Sequence, residues 1–184
     1  MMTNDYLCII PECYVDTNLV QSIMRVEGTN HQKSCGQVTN QMQNKFKDKF
    51  AVGIVDKDKK QSTYSNESIP IASSNELTLC KHPQSHHYLV KINHVMESFI
   101  LNSAKEVNLD LIKAGFPDSL EGLKKVTKHA NAKNNVALTK LFKIVSTSTE
   151  MTLLADTLNY LHKKQYCAND DEIKQIFIKH GFEQ

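Results

Sequence analysis

The chain has 184 residues, of which 40% are hydrophobic, 23% charged and 7% aromatic, enough for one ordinary globular domain with a real core. Twenty-two basic against 20 acidic side chains leave a net charge of +2, which excludes a polycation and confines any nucleic-acid binding to a local patch. No apolar run approaches the ~20 residues that cross a bilayer, Asp5 stands where a secretory leader would be basic, and five scattered cysteines make no disulfide framework, so a soluble, cytoplasmic protein with no membrane partner is expected.

Tyr6-Leu-Cys-Ile-Ile10 is a continuous apolar run ending at Pro11, as suits a strand buried on both faces. Val15, Leu19, Ile23 and Val26 then recur at three- and four-residue intervals, predicting a helix that Gly28 stops. Ser34 to Phe46 reads as a second, polar helix with Val38, Met42 and Phe46 on one stripe. Phe50-Ala-Val-Gly-Ile-Val55 is the clearest strand, and it ends in Asp56-Lys-Asp-Lys-Lys60. Strand, helix, strand in this order implies a right-handed parallel crossover. Residues 59–75 are polar and aperiodic, which predicts a mobile loop. Glu76–Cys80 and His87–Ile92 are two further strands on either side of Pro83.

From His94 onward the apolar residues fall at helical spacing: Phe99 and Ile100, Leu120 and Leu123, Leu138, Leu141 and Phe142, Leu154 and Leu158, Ile173 and Phe177. Asn169-Asp-Asp-Glu172 is a capping-box-like start for the last helix and Gly181 its stop. Phe116-Pro117-Asp118 marks the expected boundary between an α/β domain (1–116) and a C-terminal helical appendage (117–184). The expected fold class is α/β, an open, mainly parallel, Rossmann-like sheet flanked by helices.

What rises above composition is the position of the carboxylates. Glu12 directly follows the first strand, and Asp56 with Asp58 follows the second. The C-terminal ends of adjacent parallel strands form the crevice in which such sheets bind ligands. Carboxylates gathered there repel one another unless a hard cation neutralises them, and Mg²⁺ (or Mn²⁺) held by carboxylates and substrate phosphates is the usual resolution. Such an ion serves phosphoryl chemistry by clamping the charge on the phosphorus oxygens.

Ile9-Ile10-Pro11-Glu12-Cys13-Tyr14-Val15-Asp16 resembles the first motif of the Toprim domains, a strand ending in Glu, usually followed by Gly, with an Asp four residues after the Glu. Phe50-Ala-Val-Gly-Ile-Val-Asp56-Lys-Asp58 resembles the second, a hydrophobic strand ending in Asp-x-Asp, 44 residues on. Lys91-Ile-Asn-His-Val-Met-Glu97 is similar to the later acidic helix start of compact Toprim-like proteins such as the OLD-family nucleases. The resemblance covers roughly residues 6–100. It implies a Toprim-like fold, a metal held by Asp56 and Asp58, Glu12 as catalytic general acid or base, and Asp16 and Glu97 as further acidic site residues. It departs from the family at Cys13, where Gly is usual, and the helices beyond residue 117 match no Toprim enzyme.

Plainer readings stand beside these. Asp56 and Asp58 interleave with Lys57, Lys59 and Lys60 as a solvated turn would. Asp16 also suits a helix N-cap, and Glu97 favours a helix dipole without any site. Cys80, His82, His86 and His87 fit no familiar zinc spacing, no cysteine has an evident base, and the single glycines make no phosphate loop. A haloacid-dehalogenase-type phosphatase built on Asp56-x-Asp58 needs Thr or Val where Lys60 stands. Residues 118–143 hold six lysines against two carboxylates, and Lys124, Lys125 and Lys128 are the candidate contacts to a DNA or RNA backbone. Two functions compete: a Mg²⁺-dependent Toprim-type nuclease, and a catalytically inactive Toprim-derived module that binds nucleic acid or a partner protein. Self-association into a homo-oligomer fits either.

Overall fold

The computed structural model describes residues 5–57 and 61–184. Their order is β1 (Ile9–Pro11), α1 (Tyr14–Met24), α2 (Cys35–Asn44), β2 (Ala51–Lys57), α3 (Thr63–Glu67), β3 (Ile69–Ser73), β4 (Leu77–Lys81), β5 (His87–Asn93), α4 (Met96–Glu106), α5 (Leu120–Thr127), α6 (Val136–Val145), α7 (Thr149–Lys164) and α8 (Asp170–Lys179). The five strands form one open sheet in the order β1-β2-β5-β4-β3. β1, β2 and β5 are parallel neighbours, β4 runs against β5, and β3 runs against β4. The protein is therefore α/β, with a mixed, mostly parallel sheet and flanking helices.

The two faces of the sheet bury different cores, because side chains alternate along a strand. Val52 and Ile54 of β2, Ile9 of β1, and Tyr88, Val90 and Ile92 of β5 face the larger core, formed with α1, α4 and the later helices. Ala51 and Val55, Ile10 and Leu89 face the smaller one with Val38, Met42, Phe46 and Tyr64. A strand covered on both faces reads as an unbroken apolar run, which is why 50–55 was so legible. Gly53 has a packing reason. A Cβ there would lie 2.7 Å from Leu89 Cδ2 and 2.8 Å from Val38 Cγ1, so a bare backbone lets α2 approach the sheet. Leu123, Leu138, Phe142, Leu154 and Phe177 from beyond residue 117 join the same larger core as the sheet residues.

Several expectations need correction. Tyr6 to Cys8 form a turn, closed by the Ile9 N–H donating to the Tyr6 carbonyl, and only Ile9–Pro11 pairs as strand. α1 ends before Gly28, at Arg25, which takes a left-handed conformation (φ 57°). Residues 61–75 are no irregular loop. Ser62 caps α3 by accepting the Ser65 N–H, and Ile69–Ser73 is an edge strand in which Pro70 is tolerated, with a register shift between Pro70 and Ala72. Asp58, Lys59 and Lys60 lie outside the described residues. At the C-terminus the expectation holds: the Asn169 side chain accepts the N–H groups of Asp171 and Glu172, and Gly181 stops α8 at φ 89°. Among the described residues no helix is long and apolar enough to cross a membrane.

Candidate functional site

β1 and β2 lie side by side, with Ile9 opposite Val52 and Pro11 opposite Ile54, so Glu12 and Asp56 emerge from the same end of the sheet. They are linked directly: the backbone N–H of Asp56 donates to Glu12 Oε2 at 3.1 Å. Asp56 Oδ1 in turn accepts the N–H of Met96 at 3.0 Å, at the first residue of α4. The N-terminus of α4 thus points its partial positive charge at Asp56.

Asp16 enters from α1. Cys13 occupies the N-cap position, and Asp16, three residues into the helix, bonds back to it, accepting the Cys13 N–H at 3.2 Å and the Cys13 thiol at 2.9 Å. Asp16 is therefore not the N-cap residue that the sequence allowed. The backbone at Cys13 is extended (φ −135°, ψ −179°), a conformation open to any residue, so the usual Gly is not required here for chain geometry. Burial, then the charge of Asp16, raises the Cys13 thiol far above its ordinary value, so it serves as a hydrogen donor and not as a nucleophile.

Glu97, in the first turn of α4, completes the group. It is buried, and the Thr127 hydroxyl at the end of α5 donates to its Oε1. Glu12, Asp16, Asp56 and Glu97 are thus brought close enough to feel one another's charge. Burial raises Asp56 most, and repulsion from Asp16, Glu12 and Glu97 adds to it, to about 9. Burial is again the largest cause for Asp16, raised to about 7 with Glu12 and Glu97 contributing. Burial, more than mutual repulsion, is what favours the protonated form of both carboxyls. Asp58, the other expected metal ligand, lies outside the described residues. Among the described residues no group of three or more His, Cys, Asp and Glu side chains is placed to hold a metal ion.

The lysines expected to meet nucleic acid lie on α5 and at its end. Lys125 and Lys128 are exposed, and Lys124 is half-buried and pairs with Glu121 at 3.3 Å. The Thr127 bond to Glu97 ties this basic helix to the carboxylates, a link with no sequence signal. His31 is a second neighbour that the sequence did not single out. It stacks on Tyr14 with ring centroids 4.4 Å apart, and its Nδ1 lies 2.9 Å from Thr17 Oγ1. Thr17 already donates its proton to the Cys13 carbonyl, so neutral His31 carries hydrogen on Nδ1 and an acceptor lone pair on Nε2. Burial and the charge of Lys133 lower its pKa, keeping it neutral.

The Cys80–His87 segment is structural. His87 is buried and bonded through Nε2 to the carbonyls of Phe46 and Lys49 and through Nδ1 to the Tyr64 hydroxyl. His82 stacks on the Tyr64 ring and meets Glu67 at 3.4 Å.

Comparison with protein-family models, with curated proteins and with solved structures returns no match.

Proposed function

We propose that the carboxylate cluster is a Toprim-like site that uses Mg²⁺ or Mn²⁺ to hydrolyse phosphodiester bonds in nucleic acid. The observation that carries this reading is the convergence of Glu12, Asp16, Asp56 and Glu97 beside the ends of two parallel strands, where burial first and their mutual charge second raise the Asp56 carboxyl. An all-oxygen donor set of this kind fits a hard divalent cation and no soft one. Asp56 and Asp58 are the groups that would hold it, with Glu12 beside them. When bound, the ion neutralises the cluster and stabilises charge on phosphorus oxygens.

The remaining roles fall to the chain itself. The Asp56 N–H orients Glu12, which moves a proton between water and the leaving oxygen as general base or acid. Cys13 fixes Asp16, and Thr127 fixes Glu97. Lys124, Lys125 and Lys128 hold the phosphate backbone beside the cluster. The test is cleavage of single- and double-stranded DNA and RNA with Mn²⁺, by the native protein and by Glu12→Gln. Cleavage by the first and none by the second supports the reading.

One observation favours the second function, a binding module without chemistry: both Asp16 oxygens are taken by Cys13, the residue standing where Gly is usual. A native protein that binds nucleic acid, ignores divalent metal and cleaves nothing fits that reading alone.

A further inference from the structure

A groove of about 1330 Å³ lies between α1, α6, α7 and the 3-10 turn Ala130–Asn134. It shares α1 with the carboxylate cluster. The first turn of α1 carries Asp16, and the helix from Asn18 to its end lines the groove. Three cations face it: Lys133, Lys143 and Arg25, the single arginine of the chain. Of the two opposing carboxylates, Glu27 and Asp156, the latter is engaged by His180 at 2.9 Å. Much of the remaining wall is amide and hydroxyl, and no aromatic ring lines it among the described residues.

The groove is built and not merely open. Buried Asn18 donates to the carbonyls of Ala132 and Asn135 and accepts from the hydroxyls of Ser22 and Thr139. The bonds to Ala132, Asn135 and Thr139 pin the turn that bears Lys133 against α1 and α6. Lys133 also sits close enough to His31, beside the cluster, for its charge to act on that ring. At the far end, Arg25 holds a left-handed backbone (φ 57°) where helices ordinarily place glycine.

We propose that this groove carries the sugar–phosphate backbone of a nucleic-acid strand away from the carboxylate cluster, with Lys133, Lys143 and Arg25 as its phosphate contacts. The inference rests on the nucleic-acid reading above and extends it to a defined path. From Asn18 to Arg25 the helix rises ~10 Å, the length of a short stretch of strand. Sequence-independent binding is the consequence, because contacts to phosphates carry no base identity.

The test is fluorescence anisotropy of the full chain with labelled oligothymidylate and oligouridylate, in EDTA so that binding is read apart from cleavage, from about 50 to about 200 mM salt. Arg25→Gly combined with Lys143→Gln removes two contacts, so the slope of log affinity against log salt should fall by about 1.4 and affinity by roughly tenfold. Glycine relieves the left-handed strain at position 25, so thermal stability should hold or rise. Lys47→Gln with Lys174→Gln, which removes the same charge from the cavity at the other end of the sheet, should leave the slope unchanged. An unchanged slope in the groove variant overturns the proposal, as does an equal fall in the Lys47 and Lys174 control. So does no binding by the native protein, or full displacement of the oligonucleotide by adenosine triphosphate at equal phosphate concentration. A groove that binds as expected in a protein that never cleaves leaves this inference standing and refutes only the catalytic reading.

Discussion

Replacing Asp56 with asparagine should flatten the dependence of stability on pH. In the native protein the Asp56 carboxyl is raised to about 9, chiefly by burial and then by Asp16, Glu12 and Glu97. The unfolded chain returns it to ~3.9. The folded state therefore holds this proton more tightly, so the stabilisation is complete below about pH 4 and is lost as the pH rises through 9. Asp16, raised to about 7, adds to the loss in the lower part of that window. Between about pH 7 and about pH 9, Asp16 gives up the last of its proton and Asp56 carries most of the loss, at up to ~1.4 kcal/mol per pH unit. Over that interval the native protein should lose up to ~2.7 kcal/mol, or roughly 5–10 °C in Tm for a chain of this size. The asparagine amide keeps an oxygen for the Met96 N–H and carries no charge to titrate. Thermal unfolding in EDTA across this range reads the effect directly. A variant whose Tm falls as steeply as the native protein's, or which is the less stable of the two at about pH 9, refutes the reasoning.

Other outcomes follow from the same geometry. Mn²⁺ should raise the native Tm more at pH 8 than at pH 6, because the cation competes with protons for the same oxygens; Asp56→Asn should remove most of that rise in a calorimetric scan. Glu12→Gln should abolish cleavage while leaving nucleic-acid affinity in EDTA nearly unchanged, as a paired nuclease and anisotropy assay would show. Neutralising Lys124, Lys125 and Lys128 together should lower the salt slope of binding by about 2 on single strands without altering the metal-induced rise in Tm. Gly53→Ala should cost about 1–3 kcal/mol in denaturant unfolding, because its Cβ would meet Leu89 and Val38 at under 3 Å.

How much of this was legible in the sequence depended on the signal each element carries. β2 and the pairing of β1 with it were readable, since strands buried on both faces must be apolar throughout. β3 was not: as an edge strand with an exposed Ile69, a proline and a register shift, its run lacks alternation. Glu12 and Asp56 could be placed because topology alone brings the ends of parallel neighbours together. Asp16 and Glu97 were legible as acidic residues at helix starts, but their meeting with Glu12 and Asp56 depends on how α1 and α4 pack. Thr127 and His31 carried no signal. Their roles arise from contacts across 30 and 14 residues of chain, which no local pattern encodes.

Glu12 and Asp56 are proposed to lie around one divalent cation. Anomalous diffraction at the manganese edge, from crystals grown or soaked with Mn²⁺, tests it most directly. A single strong peak bounded by the carboxylates of Glu12 and Asp56, absent from crystals of Asp56→Asn, is the expected result. Peaks confined to other parts of the surface, with Glu12 still bonded to the Asp56 N–H and no density between them, would contradict it.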